Sequence, residues 1–200
     1  ELDAGRVYDY LRHGKTDESE QTLFAKVRQL PAGHCARVDL DEPGSIQIKQ
    51  YWKPTLLERG DISFEEAARS VRDIFLRNIS LHLRSDVPVG AALSGGIDSS
   101  AIVCGMRQVA GKSLDLHTFS FIPDNPELSE EKWVDQVNGA TGAQAHKIRL
   151  SPSQLTSDLE ELIRSHDEPF GSTSMYAQFA VFRAARGAGE AGERERRLVR

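Results

Sequence analysis

The stretch Ser94-Gly-Gly-Ile-Asp-Ser-Ser100 carries the most information in this chain, because it joins a predicted strand to a predicted helix through two glycines. The apolar residues 87–93 precede it, and the helix-like residues 101–107 follow it. Glycine lets backbone N–H groups approach an anion closely, and a helix N-terminus adds partial positive charge. The hydroxyls of Ser94, Ser99 and Ser100 add hydrogen-bond donors. The stretch therefore predicts a phosphate-binding turn.

The carboxylate in this turn indicates a cation as well as a phosphate. Asp98 would repel a bare phosphate, so we expect a divalent metal between the two, with Asp98 as its ligand. The structural alternative is an ordinary strand-to-helix turn, in which glycine relieves strain and serine caps the helix. Seven motif residues between a strand and a helix favour the nucleotide site.

The turn differs from two common phosphate loops. It lacks Gly-x-x-x-x-Gly-Lys-Ser/Thr and also Gly-x-Gly-x-x-Gly, so a Walker-type site and a dinucleotide fold are both unsupported. It resembles instead the pyrophosphate loop of ATP pyrophosphatases. That resemblance implies cleavage of ATP between the α- and β-phosphates.

Composition limits the partners that we expect. The chain has 200 residues, a net charge of −5 and 39% hydrophobic residues. These values predict neither nucleic acid nor a membrane as partner, since no apolar run approaches the ~20 residues that span a bilayer. Cys35 and Cys104 are far apart, so we expect packing residues in a reducing cytoplasm rather than a disulfide or a zinc site.

Strands and helices alternate from residue 87 onward. We predict strands at residues 87–93, 116–122 and 146–150, and helices at residues 98–109, 127–142 and 176–186, with a further helix starting at Ser151-Pro152. This order predicts an α/β fold with a doubly wound parallel sheet, right-handed crossovers and helices on both faces. Ligands of such sheets bind beyond the carboxyl ends of the strands, where the motif lies.

Other segments carry local signals. Ser63 and Glu66 predict a capping box at the start of a helix, and the segments 33–40 and 45–51 predict a hairpin. Apolar spacing predicts that three helices turn a set of residues inward: Ala67, Val71, Ile74, Phe75 and Ile79 in the first, Trp133, Val134, Val137 and Ala140 in the second, and Leu155, Leu159, Leu162 and Ile163 in the third.

The chain resembles the glutamine-dependent asparagine synthetases over about residues 5–186. The similarity is strongest across residues 83–102, which contain the phosphate-binding turn. Shorter similarities lie in Leu30-Pro-Ala-Gly33, Tyr51-Trp-Lys-Pro54, Leu116-His-Thr-Phe-Ser120, Asp167-Glu-Pro-Phe170 and Ser174-Met-Tyr176. The resemblance implies an adenine-nucleotide α-hydrolase-like fold at residues 63–186, after the β-rich end of a glutaminase domain at residues 1–54 and a linker at residues 55–62.

The resemblance also implies a two-site enzyme. One site hydrolyses glutamine to ammonia. The other uses Mg²⁺ and ATP to adenylate the side chain of aspartate, and ammonia then forms the amide with release of AMP and pyrophosphate. By this resemblance, phosphate contacts fall on Ser94, Gly95, Gly96, Asp98, Ser99 and Ser100, and backbone contacts to adenosine fall on Leu93 and Phe121. A homodimer of the full-length enzyme is left open.

Departures from the family pattern lead us to expect a fragment with no complete catalytic set. The chain opens with Glu1, where the family's glutaminase has its cysteine nucleophile, and residues 187–200 show no second glycine- and acid-rich loop. We expect those residues to be an aberrant or disordered tail. Two other functions stay open: another adenylating amide-forming synthetase, such as a β-lactam synthetase or an amidotransferase, and a non-catalytic nucleotide-binding remnant.

Several further side chains have two interpretations each. Glu130 and Glu131 either approach the metal or complement a helix dipole, and we favour the dipole. Asp167 and Glu168 either face the acceptor amino acid or lie at a solvated helix end. Ser172, Thr173 and Tyr176 are candidates for the aspartate pocket, and Arg84 either anchors a helix end or steers phosphate. Five histidines share no spacing and are expected to be structural: His34, His82, His117, His146 and His166.

Overall fold

The structure is a computed structural model that describes residues 1–16, 18–56, 60 and 62–198, with residues 190–198 described by their backbone alone. The chain divides into two compact units, Glu1–Asp61 and Ile62–Arg200. The division lies within the predicted linker, residues 55–62. Residues 57–59 and 61 of that linker lie outside the described residues.

The first unit contains a helix and a hairpin. Helix α1 (Ala4–His13) begins where the Asp3 carboxylate accepts the Arg6 N–H at 3.0 Å, and it ends at Gly14. Strands β1 (His34–Val38) and β2 (Ile46–Gln50) pair antiparallel, which confirms the predicted hairpin. Helix α1 was not predicted from the sequence, and its start depends on the Asp3 cap.

The second unit alternates helices and strands as predicted. Its elements are α2 (Phe64–His82), β3 (Gly90–Ala92), α3 (Ile97–Ala110), β4 (His117–Phe121), α4 (Glu131–Thr141), β5 (Gln144–Ile148), α5 (Pro152–His166) and α6 (Ser174–Leu198), with short 3₁₀ turns at Gly111–Ser113 and Pro126–Leu128. Capping boxes begin α2, from Ser63 and Glu66, and α5, from Ser151 and Gln154. Both helix starts were predicted from these serines.

Three strands form a parallel sheet in the order β3-β4-β5. Alternate β4 residues face opposite sides, because strand side chains have a period of two. Thr118 faces α4, where it bonds Asn138, whereas Phe119 and Phe121 face a cleft that residues of α6 also line. The prediction of a parallel α/β sheet with helices on both faces is therefore confirmed. The described strands follow chain order, so the reversal of a doubly wound sheet stays a prediction.

The main core lies between the sheet and helices α2, α3 and α4. It consists of Ile79, Ala91, Leu93, Val103, Met106, Leu116, Ile122 and Val134. Helices α2 and α3 are in contact at Gly105, where a Cβ atom would overlap the Cδ1 atom of Ile79 and lie 3.6 Å from Leu76 and from Phe75. A side chain at this position would therefore have to displace the end of the Ile79 side chain.

Strand β3 is shorter than predicted. The apolar run began at residue 87, but only Gly90–Ala92 pair with β4, after which the Leu93 N–H donates to the Phe119 carbonyl at 2.9 Å. Pro88 has no N–H to give to a sheet, which explains why hydrophobicity alone overestimates the strand.

Helix α4 is also shorter than predicted, and it turns a different face inward. The segment 127–142 divides into a 3₁₀ turn and a helix that begins at Glu131. Trp133 is 50% exposed and Ala140 is exposed, so their predicted inward orientation is wrong. Asn138 and Thr141 are buried instead, since Thr118 Oγ1 donates to Asn138 Oδ1 at 2.6 Å.

Helix α6 is longer than predicted. It begins at Ser174 rather than at residue 176 and continues to Leu198, so the prediction of a disordered tail is wrong for the described residues 187–198. Residues 199 and 200 of that tail lie outside the described residues. Alanine, glutamate and arginine are frequent in the tail, and they extend a helix that has already formed.

Some residues predicted to pack are exposed. Cys35 and Cys104 are both exposed, so they are not buried packing residues. The predicted inward faces of α2 and α5 are also wrong in part, since Phe75, Ile79 and Leu162 pack while others face outward: Val71, Ile74, Leu159 and Ile163. A helical stripe becomes buried only along the line where a neighbouring element covers it.

We expect Gly105→Ala to lower the free energy of unfolding by about 1–3 kcal/mol, because a methyl group would force Ile79 out of its position. Gly139→Ala is the matched control, since a Cβ atom at this position of α4 has nothing within 4 Å. The control should be neutral or stabilising by up to about 1 kcal/mol. Urea unfolding of both variants measures the difference, and equal effects would contradict the close contact.

Candidate functional site

The turn predicted to bind phosphate lies between a strand and a helix, as expected from the sequence. Ser94–Gly96 connect the end of β3 to the start of α3, and Phe121 ends the neighbouring strand β4. Because the strands are parallel, both points belong to the same edge of the sheet. The carboxyl ends of the strands thus bring together two regions that are separated in sequence.

Serine hydroxyls hold the turn in shape. The Ser94 N–H donates to Ser99 Oγ at 3.2 Å, and the hydroxyls of Ser94 and Ser99 are 3.0 Å apart. The Gly96 N–H donates to Ser94 Oγ at 3.3 Å, while Ser99 Oγ donates to the Gly96 carbonyl at 3.2 Å. These bonds close the turn on itself.

Gly95 brings the turn against the start of α4. Its φ is +95°, and a Cβ atom there would lie 2.9 Å from Glu130 Cβ and 3.0 Å from the Glu130 carbonyl oxygen. Both the backbone angle and the contact require glycine. The position of the turn therefore depends on where α4 begins.

Helix α3 begins without a side-chain cap. Gly96 is its N-cap residue, and no side chain among the described residues caps it. The first-turn N–H groups of a helix have no partner inside the helix, so they are available to an anion together with the helix dipole. Asp98 lies in this first turn with an exposed carboxylate.

A cleft of about 720 Å³ opens beside the turn. Four of the predicted site residues line it: Leu93, Ser94, Ser99 and Phe121. The other four, Gly95, Gly96, Asp98 and Ser100, belong to the same turn and helix start but do not line the cleft. All eight predicted binding residues therefore lie in or next to one site.

The sequence analysis missed the wall that α6 contributes. Ser174, Met175, Gln178 and Val181 line the cleft, together with Phe119 of β4. The four residues of α6 are spaced so that they lie on one face of the helix, and this spacing can be read from the sequence. That this face covers the sheet edge depends on tertiary packing.

Ser172, Thr173 and Tyr176 lie elsewhere. They line a separate groove of about 410 Å³, together with Leu155, Thr156, Leu159, Phe170 and Gly171. The Tyr176 hydroxyl donates to Asp158 Oδ2 at 2.7 Å, and Arg183 pairs with the same oxygen at 2.6 Å. The hydrogen bond from Arg183, and then the one from Tyr176, lower the pKa of Asp158. Burial raises the pKa of Tyr176.

The two loop acids and Arg84 mark helix ends. Asp167 ends α5 with a φ of +57°, and Glu168 follows it, half-buried. Arg84 comes directly after the end of α2, where its N–H donates to the Leu81 carbonyl at 3.2 Å.

The two acids at the start of α4 have different roles. Glu130 lines the cleft, whereas Glu131 pairs with Lys147 at 2.9 Å and with Arg149 at 2.8 Å. Hydrogen bonds from Lys147 and then Arg149 lower the pKa of Glu131. Glu131 is therefore an ionised partner of these two cations.

Two of the five histidines form a pair. His117 Nδ1 and His146 Nε2 are 2.8 Å apart, and His146 stacks on Phe119 with ring centroids 4.6 Å apart. The sequence did not predict this contact, because the two residues are 29 positions apart. They meet because they lie on the neighbouring strands β4 and β5. Burial lowers the pKa of His146, and the neighbouring His117 lowers it further.

Comparisons with known proteins identify the family. A family model described as asparagine synthase matches residues 70–190, which is well over half of the chain. Glutamine-hydrolysing asparagine synthetase 1 of Bacillus subtilis is 27% identical over 186 residues, covering 93% of this chain and 28% of that protein. Asparagine synthetase 3 of the same organism is 29% identical over 160 residues, covering 74% and 25%. The chain belongs to the asparagine synthase family, and it spans about a quarter of the length of these relatives.

A glutamine-dependent NAD⁺ synthetase from Acinetobacter baumannii, solved with ADP, is one of the solved structures that this chain resembles. It is 21% identical, with a TM-score of 0.38 over 72% of this chain and 25% of that one, which is too low a score to establish a shared fold. In the part of the chain that the structure describes, no helix combines the length and apolarity needed to cross a bilayer.

We expect Gly95→Ala to destabilise the second unit more than Gly142→Ala does. Both glycines have positive φ, but a Cβ atom at Gly142 has nothing within 4 Å, whereas at Gly95 it meets Glu130. Gly142 ends α4 in the left-handed region, where alanine costs about 1–2 kcal/mol, and the clash adds about 1–3 kcal/mol at Gly95 alone. Thermal unfolding compares the two, and equal losses would show that the turn does not depend on this contact.

We expect stability to fall as the pH drops from 7.5 to 5.5. The pKa of His146 is lower in the folded chain, so below about pH 6.5 the unfolded chain binds more protons and gains on the folded one. The neutral His146 therefore causes no loss of folding stability above about pH 6.5, and stability falls as the pH drops below that value. His146→Gln should flatten the dependence of the thermal midpoint on pH in this range, and an unchanged slope would refute the assignment.

Proposed function

We propose that this chain carries the ATP-binding part of a glutamine-hydrolysing asparagine synthase. In this reaction ATP adenylates the side chain of aspartate, and ammonia derived from glutamine forms the amide, with release of AMP and pyrophosphate. The observation that supports this proposal most is the uncapped start of α3, which follows a Ser-Gly-Gly turn and adjoins a cleft at the carboxyl end of the sheet.

The phosphates of ATP are proposed to lie at the start of α3. The backbone of Gly95 and Gly96 and the first-turn N–H groups would face them, with the hydroxyls of Ser94, Ser99 and Ser100 around them. Negative charge develops on the departing pyrophosphate, and preorganised donors stabilise it without further rearrangement. The serine bonds that already close the turn support this role.

The adenosine is proposed to occupy the apolar part of the cleft. Leu93 and Phe121 line this part together with Phe119, Met175 and Val181. An apolar pocket with a few polar groups is the usual form of a nucleotide site. It also keeps water away from the acyl-adenylate until ammonia attacks.

Magnesium is proposed to bind through Asp98. In the described residues no group of three His, Cys, Asp or Glu side chains is placed to hold a metal ion. One exposed carboxylate at the phosphate end of the site suits Mg²⁺, which is commonly held by one or two carboxylates, substrate phosphates and water. When bound, the ion neutralises phosphate charge.

The first unit is proposed to be the end of a glutaminase domain that supplies ammonia. Its hairpin and the division of the chain within residues 55–62 support this proposal. The relatives that share most of this chain carry glutamine hydrolysis in their names.

Pyrophosphate release with ammonia supplied tests the reaction, on this chain and on any longer protein that contains it. Release that depends on aspartate supports the proposal. Release only with other carboxylic acids would assign the chain to a different amide-forming synthetase. ATP binding without release in either protein would assign it to a nucleotide-binding remnant.

We expect Asp98→Ala to lower Mg²⁺-ATP turnover by on the order of 100-fold, the size of effect seen when one preorganised electrostatic group is lost. The carboxylate is exposed, so the thermal midpoint should change little. Asp73→Ala removes an equally charged, exposed carboxylate from α2 and should leave turnover unchanged. Undiminished pyrophosphate formation in Asp98→Ala would remove its proposed role.

A further inference from the structure

We propose that Glu131 is a positioning residue for the phosphate-binding turn. Its ion pairs with Lys147 and Arg149 fix the start of α4 to the end of β5, and the start of α4 is the surface against which Gly95 lies. The inference concerns residues outside the predicted binding set, and it rests on the proposed nucleotide site.

Glu131 pairs with two cations at the end of β5. Its Oε1 atom lies 2.9 Å from Lys147 Nζ, and both carboxylate oxygens lie 2.8–2.9 Å from one guanidinium nitrogen of Arg149. The side chains of Glu131 and Lys147 are only 29% and 30% exposed. A single exposed ion pair contributes little, but two cations on one strand end hold a half-buried carboxylate more firmly.

The first turn of α4 has a weak cap. Glu130 is the N-cap residue, and its side chain makes no capping bond. Ser129 Oγ accepts the Glu131 N–H at a long 3.3 Å. Val134, one turn further on, is buried in the core, and the Glu131 ion pairs add charge-assisted contacts between this first turn and the end of β5.

The start of α4 also contacts the turn. The Glu130 carbonyl oxygen and Cβ atom occupy the space beside Gly95 that a side chain would otherwise fill. If the start of α4 moves, Gly95 loses this support, and its backbone N–H changes direction. An anion site made of backbone donors is sensitive to such a change, because its affinity depends on their fixed orientation.

An opposite effect of the same pairing allows a clear test. Loss of the Glu131 charge removes one carboxylate partner from Arg149 and leaves Lys147 paired with Asp135. The positive charge released in this way would attract phosphate within a Debye length of about 8–10 Å. If positioning dominates, neutralising Glu131 weakens phosphate binding. If the freed charge dominates, binding becomes tighter.

The test uses Glu131→Gln, with Asp135→Asn as its matched control. Asp135 pairs with the same lysine at 2.6 Å but lies one turn further along α4, so both variants remove one carboxylate partner of Lys147. Calorimetry on the full chain measures the Kd of sodium tripolyphosphate and of ATP, each with Mg²⁺. We expect Glu131→Gln to weaken both about fivefold and Asp135→Asn to change them less than twofold, a coupling typical of residues in one network.

A readout besides affinity distinguishes positioning from a general loss of stability. In two-dimensional NMR spectra, the amide resonances of Gly95 and Gly96 should shift in Glu131→Gln and stay in place in Asp135→Asn. Unshifted resonances, unchanged Kd values or tighter binding in Glu131→Gln would overturn the inference. If the unmodified chain binds neither probe, the proposed function fails, while the glycine resonances still decide whether Glu131 positions the turn.

Discussion

The contact between Gly95 and Glu130 is the constraint on which the candidate site depends. A glycine with positive φ lets the chain leave β3, pass against the start of α4 and enter α3 within four residues. Hydrogen bonds between Ser94 and Ser99 then close the turn, and Gly96 leaves the first helical N–H groups without a side-chain cap. Any side chain at Gly95 would separate the turn from α4 and alter the direction of those donors.

The sequence predicted most features that depend on neighbouring residues. The capping serines Ser63 and Ser151, the hairpin and the strand-turn-helix motif all have local causes, and the structure shows each of them. The predicted lengths of β3 and α4 were wrong. Strand pairing and helix starts depend on which backbone N–H groups find partners, and hydrophobicity carries no information about this. The prediction of a disordered tail after residue 186 was wrong for the described residues, because helix-forming residues in the tail continue α6 to Leu198.

The remaining part of the site could not be predicted, because it is built from contacts between distant segments. Asn138 is buried although it was not among the residues predicted to face inward, since Thr118 on another element satisfies its side-chain oxygen. His117 and His146 meet across two strands, and residues of α6 cover the cleft. None of these residues has a sequence pattern that predicts its contact. The contacts depend on the register of the sheet and on the packing of α6.

The start of α3 is proposed to bind the phosphates of a magnesium nucleotide. A crystal structure of the chain with Mg²⁺ and a non-hydrolysable ATP analogue tests it most directly. We expect the β- and γ-phosphates within hydrogen-bond distance of the N–H groups of Ile97 and Asp98, with the base in the cleft beside Phe121. A nucleotide bound elsewhere, with this helix start facing only water, would contradict the account.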